Sequence, residues 1–171
     1  SLEAAIAALK QGQIDVLVTA PIHKKNIQSE TFVFPGHTDY LNQKLEGNSL
    51  MFMVTDSLKV ALMSDHIPLR EVVSYLTEEK ITSKIIPLEK NLQQEFGIKR
   101  PKNAVLGINP HNGDNGVIGK EDDTLLSPLL KKLQEKGSLV FGPFPADGFF
   151  GNQSYTKFDA VLATYHDQGL I

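Results

Sequence analysis

The sequence predicts an α/β fold with a largely parallel sheet flanked by helices. Two observations carry that prediction. Short β-rich apolar runs alternate with helical stretches along the chain, the pattern of strand–helix–strand units. Each run is bounded by Gly, Pro or polar residues, as a short buried strand is. No internal repeat, low-complexity stretch or linker interrupts the 171 residues. At ~100–200 residues per domain they read as one compact unit, 1–171.

Leu2–Lys10 is rich in Ala and Leu, with Leu2, Ile6 and Leu9 at helical spacing, and Gly12 ends it. Val16–Thr19 reads as a buried strand closed by Pro21. Phe32–Gly36 is a loop, and Thr38–Leu45 a short helix. Leu50–Thr55 and Leu58–Met63 are strands joined by Asp56-Ser57. Pro68 stands at a helix start, with Val72, Val73 and Leu76 as its apolar stripe. Lys80–Phe96 is helical, with Ile81, Ile85, Leu88 and Leu92 on one face. Pro87 within it is expected to kink or divide it. Asn103–Ile108 is a strand, and the glycine-rich stretch Asn109–Gly119 follows. Asp122 or Asp123 then caps a helix to about Lys136, stopped by Gly137. Leu139–Phe141 and Asp159–Thr164 are the last two strands.

Composition narrows the chemistry. With 41% apolar and 22% charged residues, the chain has the balance of a globular protein. Seventeen Lys+Arg against 20 Asp+Glu give a net charge of -3, without the basic footprint of a nucleic-acid binder. No apolar run approaches the ~20 residues that span a bilayer. The absence of cysteine excludes disulfides, thiolate metal sites and a cysteine nucleophile. Nitrogen ligands for a metal must come from His23, His37, His66, His111 and His166.

Four of these histidines share a context. His23, His66, His111 and His166 each follow a short apolar run by a few residues. Open α/β sheets bind ligands outside the carboxyl ends of their strands, so parallel strands would align the four along one edge. Three neutral imidazoles with one open position would make a metal site. No short metal motif is present, and each histidine alone reads equally as a loop-end residue bonded to backbone. Asn109–Gly116 is rich in residues that accept positive φ, so its N–H groups can converge on an anion; an ordinary solvent loop is the alternative. It is not a phosphate P-loop, and no dinucleotide fingerprint occurs anywhere. Asp147, on the Pro-stiffened loop Gly142–Asp147, is an acid/base group, a residue that orients a substrate amine, or a turn- or helix-capping Asp. His23-Lys24-Lys25 offers anion donors or is a solvated basic turn. Tyr165-His166-Asp167-Gln168-Gly169 packs four hydrogen-bonding side chains before a glycine, a density that favours function.

Read together, six segments resemble a known family. They are Ala20–Lys24, Pro35–Thr38, Asp65–Leu69, Gly107–Gly113, Gly142–Asp147 and Tyr165–Gly169. In this order they are similar to the 4-hydroxythreonine-4-phosphate dehydrogenases of vitamin B6 biosynthesis, over essentially the whole chain. The resemblance implies an isocitrate/isopropylmalate dehydrogenase-like fold. It implies an oxidoreductase using NAD, or NADP, and a divalent metal: zinc first, with magnesium or cobalt as alternatives. The substrate's alcohol would be oxidised to a ketone, and the β-keto acid would lose carbon dioxide to give 3-amino-2-oxopropyl phosphate. The family's metal ligands match His66, His111 and His166, and its substrate-binding pair matches His37-Thr38. Asp147 and His23 fall in catalytic motifs. Asp65 and Asp167, each beside a ligand histidine, are candidate partners for the imidazoles. The family forms cytoplasmic homodimers with ligands drawn from both chains.

Departures set further expectations. Family members are longer, starting with a Gly/Pro-rich region and continuing past the His-Asp-Gln-Gly segment into substrate-phosphate and cofactor contacts. These 171 residues therefore read as a central segment that is inactive alone, with no cofactor-binding residue assignable. Phe149-Phe150 replaces the family's usual pattern after the Asp. The competing readings are a paralogous dehydrogenase for a four-carbon acid-sugar phosphate of threonate or erythronate type, and a non-catalytic metal-binding fragment.

Overall fold

A computed structural model describes residues 2–23, 25–29, 32–34 and 36–170. Where the sequence reads as one unit, the chain divides into two compact ones, Ser1–Ser49 and Leu50–Ile171.

The first unit holds two helices, α1 (Leu2–Lys10) and α2 (His37–Lys44). Tyr40 of α2 is buried with its ring 5.1 Å from those of Phe32 and Phe34, and its hydroxyl donates to Glu3 Oε1 at 3.3 Å. The expected strand Val16–Thr19 is not formed. Val16 and Val18 are 72% and 88% exposed, and the segment has no regular structure. A strand exists only where a neighbour completes its hydrogen-bond ladder. Among the described residues this unit offers only an isolated bridge, Ser29 to Phe32.

The second unit is built on a five-stranded sheet: β1 (Phe52–Val54), β2 (Lys59–Leu62), β3 (Asn103–Leu106), β4 (Val140–Phe144) and β5 (Ala160–Ala163). Its order is β1-β2-β5-β3-β4. The β2–β5, β5–β3 and β3–β4 pairs are parallel and only β1 runs antiparallel, as the alternating pattern predicts.

Side chains alternate across this sheet. Ala61, Val105 and Leu162 enter one layer of the core with α4 (Glu78–Gln94) and α5 (Ser127–Glu135). Val60, Leu62, Ala104, Leu106, Val161 and Ala163 enter the other, with Phe149 of α6 (Ala146–Gly151). Phe149 lies 5.2 Å from Phe144 and 5.8 Å from Phe158, ring to ring. The departure at Phe149 is thus a core contact.

Three local expectations change. The stretch after Pro68 becomes a 3-10 turn and a short helix, α3 (Val72–Tyr75), in which Val72 is buried and Val73 exposed. Helix α4 is not divided at Pro87. Ile85, Leu88 and Leu92 are fully buried around it, and that burial outweighs the ~3 kcal/mol a mid-helix proline costs. Neither Asp122 nor Asp123 caps α5. A π-helical turn, Asp122–Leu126, precedes that helix, and Asp122 is wholly buried with its carboxylate turned back to the end of β3.

Candidate metal centre

The parallel strands deliver the chemistry to one edge. His66 follows β2, His166 follows β5, His111 follows β3 and Asp147 follows β4. These four strands are neighbours in the sheet, so four of the predicted site residues sit just past adjacent carboxyl ends.

His66 and His166 come together. Their ring centroids are 5.5 Å apart, and both line an open cavity of about 230 Å³ with Asp65, Ile67, Tyr165 and Asp167. His166 opens α7 (His166–Gly169), and its Nδ1 lies 2.8 Å from Asp167 Oδ1. A proton on Nδ1 would be donated to that carboxylate, leaving Nε2 with a free lone pair. Gly169 lets α7 lie on the sheet: a Cβ there would stand 2.8 Å from both Ala163 Cβ and Leu62 Cδ2. Asp65 takes a different role from Asp167. Its Oδ2 is 3.4 Å from Lys84 Nζ, and its buried Oδ1 has no hydrogen-bond partner among the described residues.

His111 stands on the exposed Asn-rich loop, in a 3-10 turn at φ 52, ψ 29. Asn112 beside it is also left-handed, at φ 53. Such conformations cost non-glycine residues of order 1 kcal/mol or more each and persist only when their surroundings fix them. Here Asp122 accepts from Ile108 N (2.7 Å), Asn109 N (2.9 Å) and Asn109 Nδ2 (3.0 Å), while Asn112 Nδ2 donates to Pro143 O (2.8 Å). Asn109 Nδ2 also donates to Glu121 Oε2 at 2.8 Å. Glu121's own backbone N–H, the Asn109 amide and the Lys120 N–H hold the Glu121 carboxyl below its ordinary pKa. Gly107 admits this loop, since a Cβ there would collide with Asn112 Oδ1.

The remaining candidates are placed as follows. Asp147 is exposed at the start of α6, accepting from Gly148 N at 2.7 Å. In the first unit, His37 and Thr38 open α2, half-buried, and His23 is exposed with Nδ1 accepting from Asn26 N at 3.3 Å. Lys24 and Pro35, which belong to the predicted motifs, lie outside the described residues.

Sequence reasoning missed Lys84 and the inward role of Asp122. Lys84 had a signal: it falls on the apolar stripe of α4, three residues after Ile81 and four before Leu88. Asp122 had none, because a capping aspartate and an inward one look alike in sequence.

Comparison with known proteins bears on what this edge is for. The family described as "Pyridoxal phosphate biosynthetic protein PdxA" matches residues 1–171. The chain belongs to the PdxA family. A 4-hydroxythreonine-4-phosphate dehydrogenase of Bacteroides thetaiotaomicron is 49% identical over 172 residues, covering 99% of this chain and 47% of that protein. One from a Sulfurihydrogenibium species is 42% identical over 171 residues, covering 99% and 52%. The crystal structure of the Klebsiella pneumoniae enzyme superposes with a TM-score of 0.87 at 33% identity, covering 98% of this chain and 51% of that one. The PdxA-family chain thus spans about half the length of the relatives it matches.

As a metal site the edge is partial. Among the described residues, no group of three His, Cys, Asp or Glu side chains is close enough to hold an ion. The His66–His166 pair fits two positions of an imidazole donor set, with Asp167 orienting one ring. His111 stands apart on its own loop. No helix among the described residues is long and apolar enough to cross a membrane.

Proposed function

We propose that this PdxA-family chain supplies part of the active site of a dehydrogenase acting on 4-phosphohydroxy-L-threonine. The reaction transfers hydride from the substrate's carbinol carbon to NAD, or NADP, and releases the hydroxyl proton, leaving a ketone β to the carboxylate. Cleavage of the bond to the carboxylate then releases carbon dioxide and leaves an enolate, which takes up a proton at the former α-carbon to give 3-amino-2-oxopropyl phosphate. The observation that carries this reading is the His66–His166 pair, backed by Asp167 at the carboxyl edge of a parallel sheet.

His66, His111 and His166 are the residues that would hold a divalent cation, zinc by the nitrogen donor set, with a partner chain of a homodimer completing it. A bound cation would supply Lewis acidity, lowering the pKa of the substrate hydroxyl and stabilising the charge left by decarboxylation. The Asp147 carboxylate and the His23 imidazole are the groups proposed to move protons. His37 and Thr38 are proposed to hydrogen-bond the substrate. The cytoplasm, where NAD and phosphorylated intermediates are held, is the proposed compartment.

The test is NAD reduction by the protein expressed from its full reading frame, with zinc, on a substrate panel. Turnover of 4-phosphohydroxy-L-threonine well above that of threonate and erythronate phosphates is expected. Preference for an acid-sugar phosphate would replace this reading with the paralogous one.

A further inference from the structure

The backbone ladder between neighbouring strands stops short of the histidines. The last β2–β5 pair is Leu62 with Ala163, and the last β5–β3 pair is Val105 with Leu162. Beyond those pairs a chain of buried side chains takes over. Ser64 Oγ donates to Thr164 O at 2.8 Å, tying the end of β2 to that of β5. Gln168 Oε1 accepts from Thr164 N (2.8 Å) and Thr164 Oγ1 (2.9 Å). Gln168 Nε2 donates to Gly107 O at 2.6 Å, tying β5 to β3. Gly107 N continues to Phe144 O of β4 at 2.8 Å. Ser64 and Thr164 are fully buried, and Gln168 nearly so.

This crossbar spans the three strands whose loops carry the candidate ligands. Ser64 is two residues before His66, Thr164 two before His166, and Gly107 four before His111. An apolar trio could fill the same space. Directed hydrogen bonds add a fixed spacing and orientation that apolar packing leaves loose, and a fully satisfied buried network is rigid.

We propose that Ser64, Thr164 and Gln168 are positioning residues that fix the spacing of the strand ends bearing His66, His166 and His111. The inference rests on the reading of those histidines as metal ligands. It applies equally to ligands gathered within one chain or shared between two, because each loop's departure point is set within its own chain.

The experiment compares Thr164→Val, Thr164→Ser and Gln168→Met with the unsubstituted protein, all from the full reading frame. Zinc affinity is measured by competition with a chelator, and urea unfolding in zinc-free buffer is followed in parallel. Thr164→Val and Gln168→Met are expected to bind zinc about tenfold or more weakly, the usual scale for groups behind metal ligands, while Thr164→Ser stays within about twofold. A merely structural role would lower the urea midpoint and leave the zinc affinity of the folded protein unmoved. That result in Thr164→Val overturns the proposal, even where Gln168→Met fails to fold. Absence of zinc binding by the unsubstituted protein overturns both this proposal and the metal reading. Zinc binding by that protein, unchanged in the variants, overturns this proposal alone.

Discussion

The Lys84 ammonium lies 3.4 Å from Asp65 Oδ2, with both side chains largely withdrawn from water, one residue before His66. A charge on the core face of α4 is tolerable only with such a partner. Removing Lys84 takes the ammonium away from the Asp65 carboxylate, and breaking a buried pair in this way costs roughly 3–5 kcal/mol, whereas replacing both members with apolar groups is often neutral. Lys84→Met is therefore expected to destabilise the fold by about 3 kcal/mol, and Lys84→Met with Asp65→Leu by much less. Urea unfolding of the two single variants and the double variant closes the cycle. Additive losses would show that the pair is uncoupled.

Asp167 presents a different case because it is exposed. Its Oδ1 lies 2.8 Å from His166 Nδ1, and accepting a proton held there would favour the ring form that leaves the Nε2 lone pair free for a metal. Asp167→Ala should leave the unfolding midpoint nearly unchanged. It should weaken zinc binding by about tenfold, read by chelator competition. Unaltered zinc affinity would remove Asp167 from the site.

Gly169 and Phe149 test the apolar layer under the site. Gly169→Ala drives a methyl against Ala163 and Leu62, and overpacking of this kind costs about 1–3 kcal/mol. Phe149→Ala empties an aromatic cluster and should cost about 3–5 kcal/mol. Calorimetric melting of both variants measures these losses. Wild-type stability in Gly169→Ala would mean that α7 sits further from the sheet.

Glu121 gives the loop of His111 an acid limit. Its carboxyl is held below the ordinary glutamate value of about 4.3, so the folded state favours the ionised form. That stabilisation is fully present above the unfolded pKa and is lost as pH falls through the lower, folded one. Amide exchange of Asn109–Gly116 should therefore accelerate as pH falls below the ordinary glutamate value, after correction for intrinsic rates, and Glu121→Gln should flatten that trend. Identical profiles for the two proteins would show that the carboxylate does not hold the loop.

How much of this was legible beforehand differs by residue. The runs around Val60–Leu62, Val105 and Val161–Ala163 announced themselves as strands because they are short, apolar and buried on both faces. Val16–Thr19 looks the same by composition and forms none, because a strand is a property of two segments and sequence shows one. Pro87 carries a local veto that burial of Ile85, Leu88 and Leu92 overrode. Asp122 reads as a cap and is instead a buried acceptor for N–H groups on a loop thirteen residues away.

The sequence by itself determined the alternation that makes the sheet, the histidines as the only nitrogen ligands, and the motifs that place the chain in its family. Those are matters of residue type and period, which act locally. Tertiary structure alone decided strand order, and with it that β5 stands between β2 and β3. It therefore decided that His166 meets His66 while His111 stays on its own loop, that Lys84 answers Asp65, and that Gln168 reaches Gly107 across 61 residues of sequence. Each of these depends on distances between segments remote in the chain, which folding sets and residue order does not encode locally.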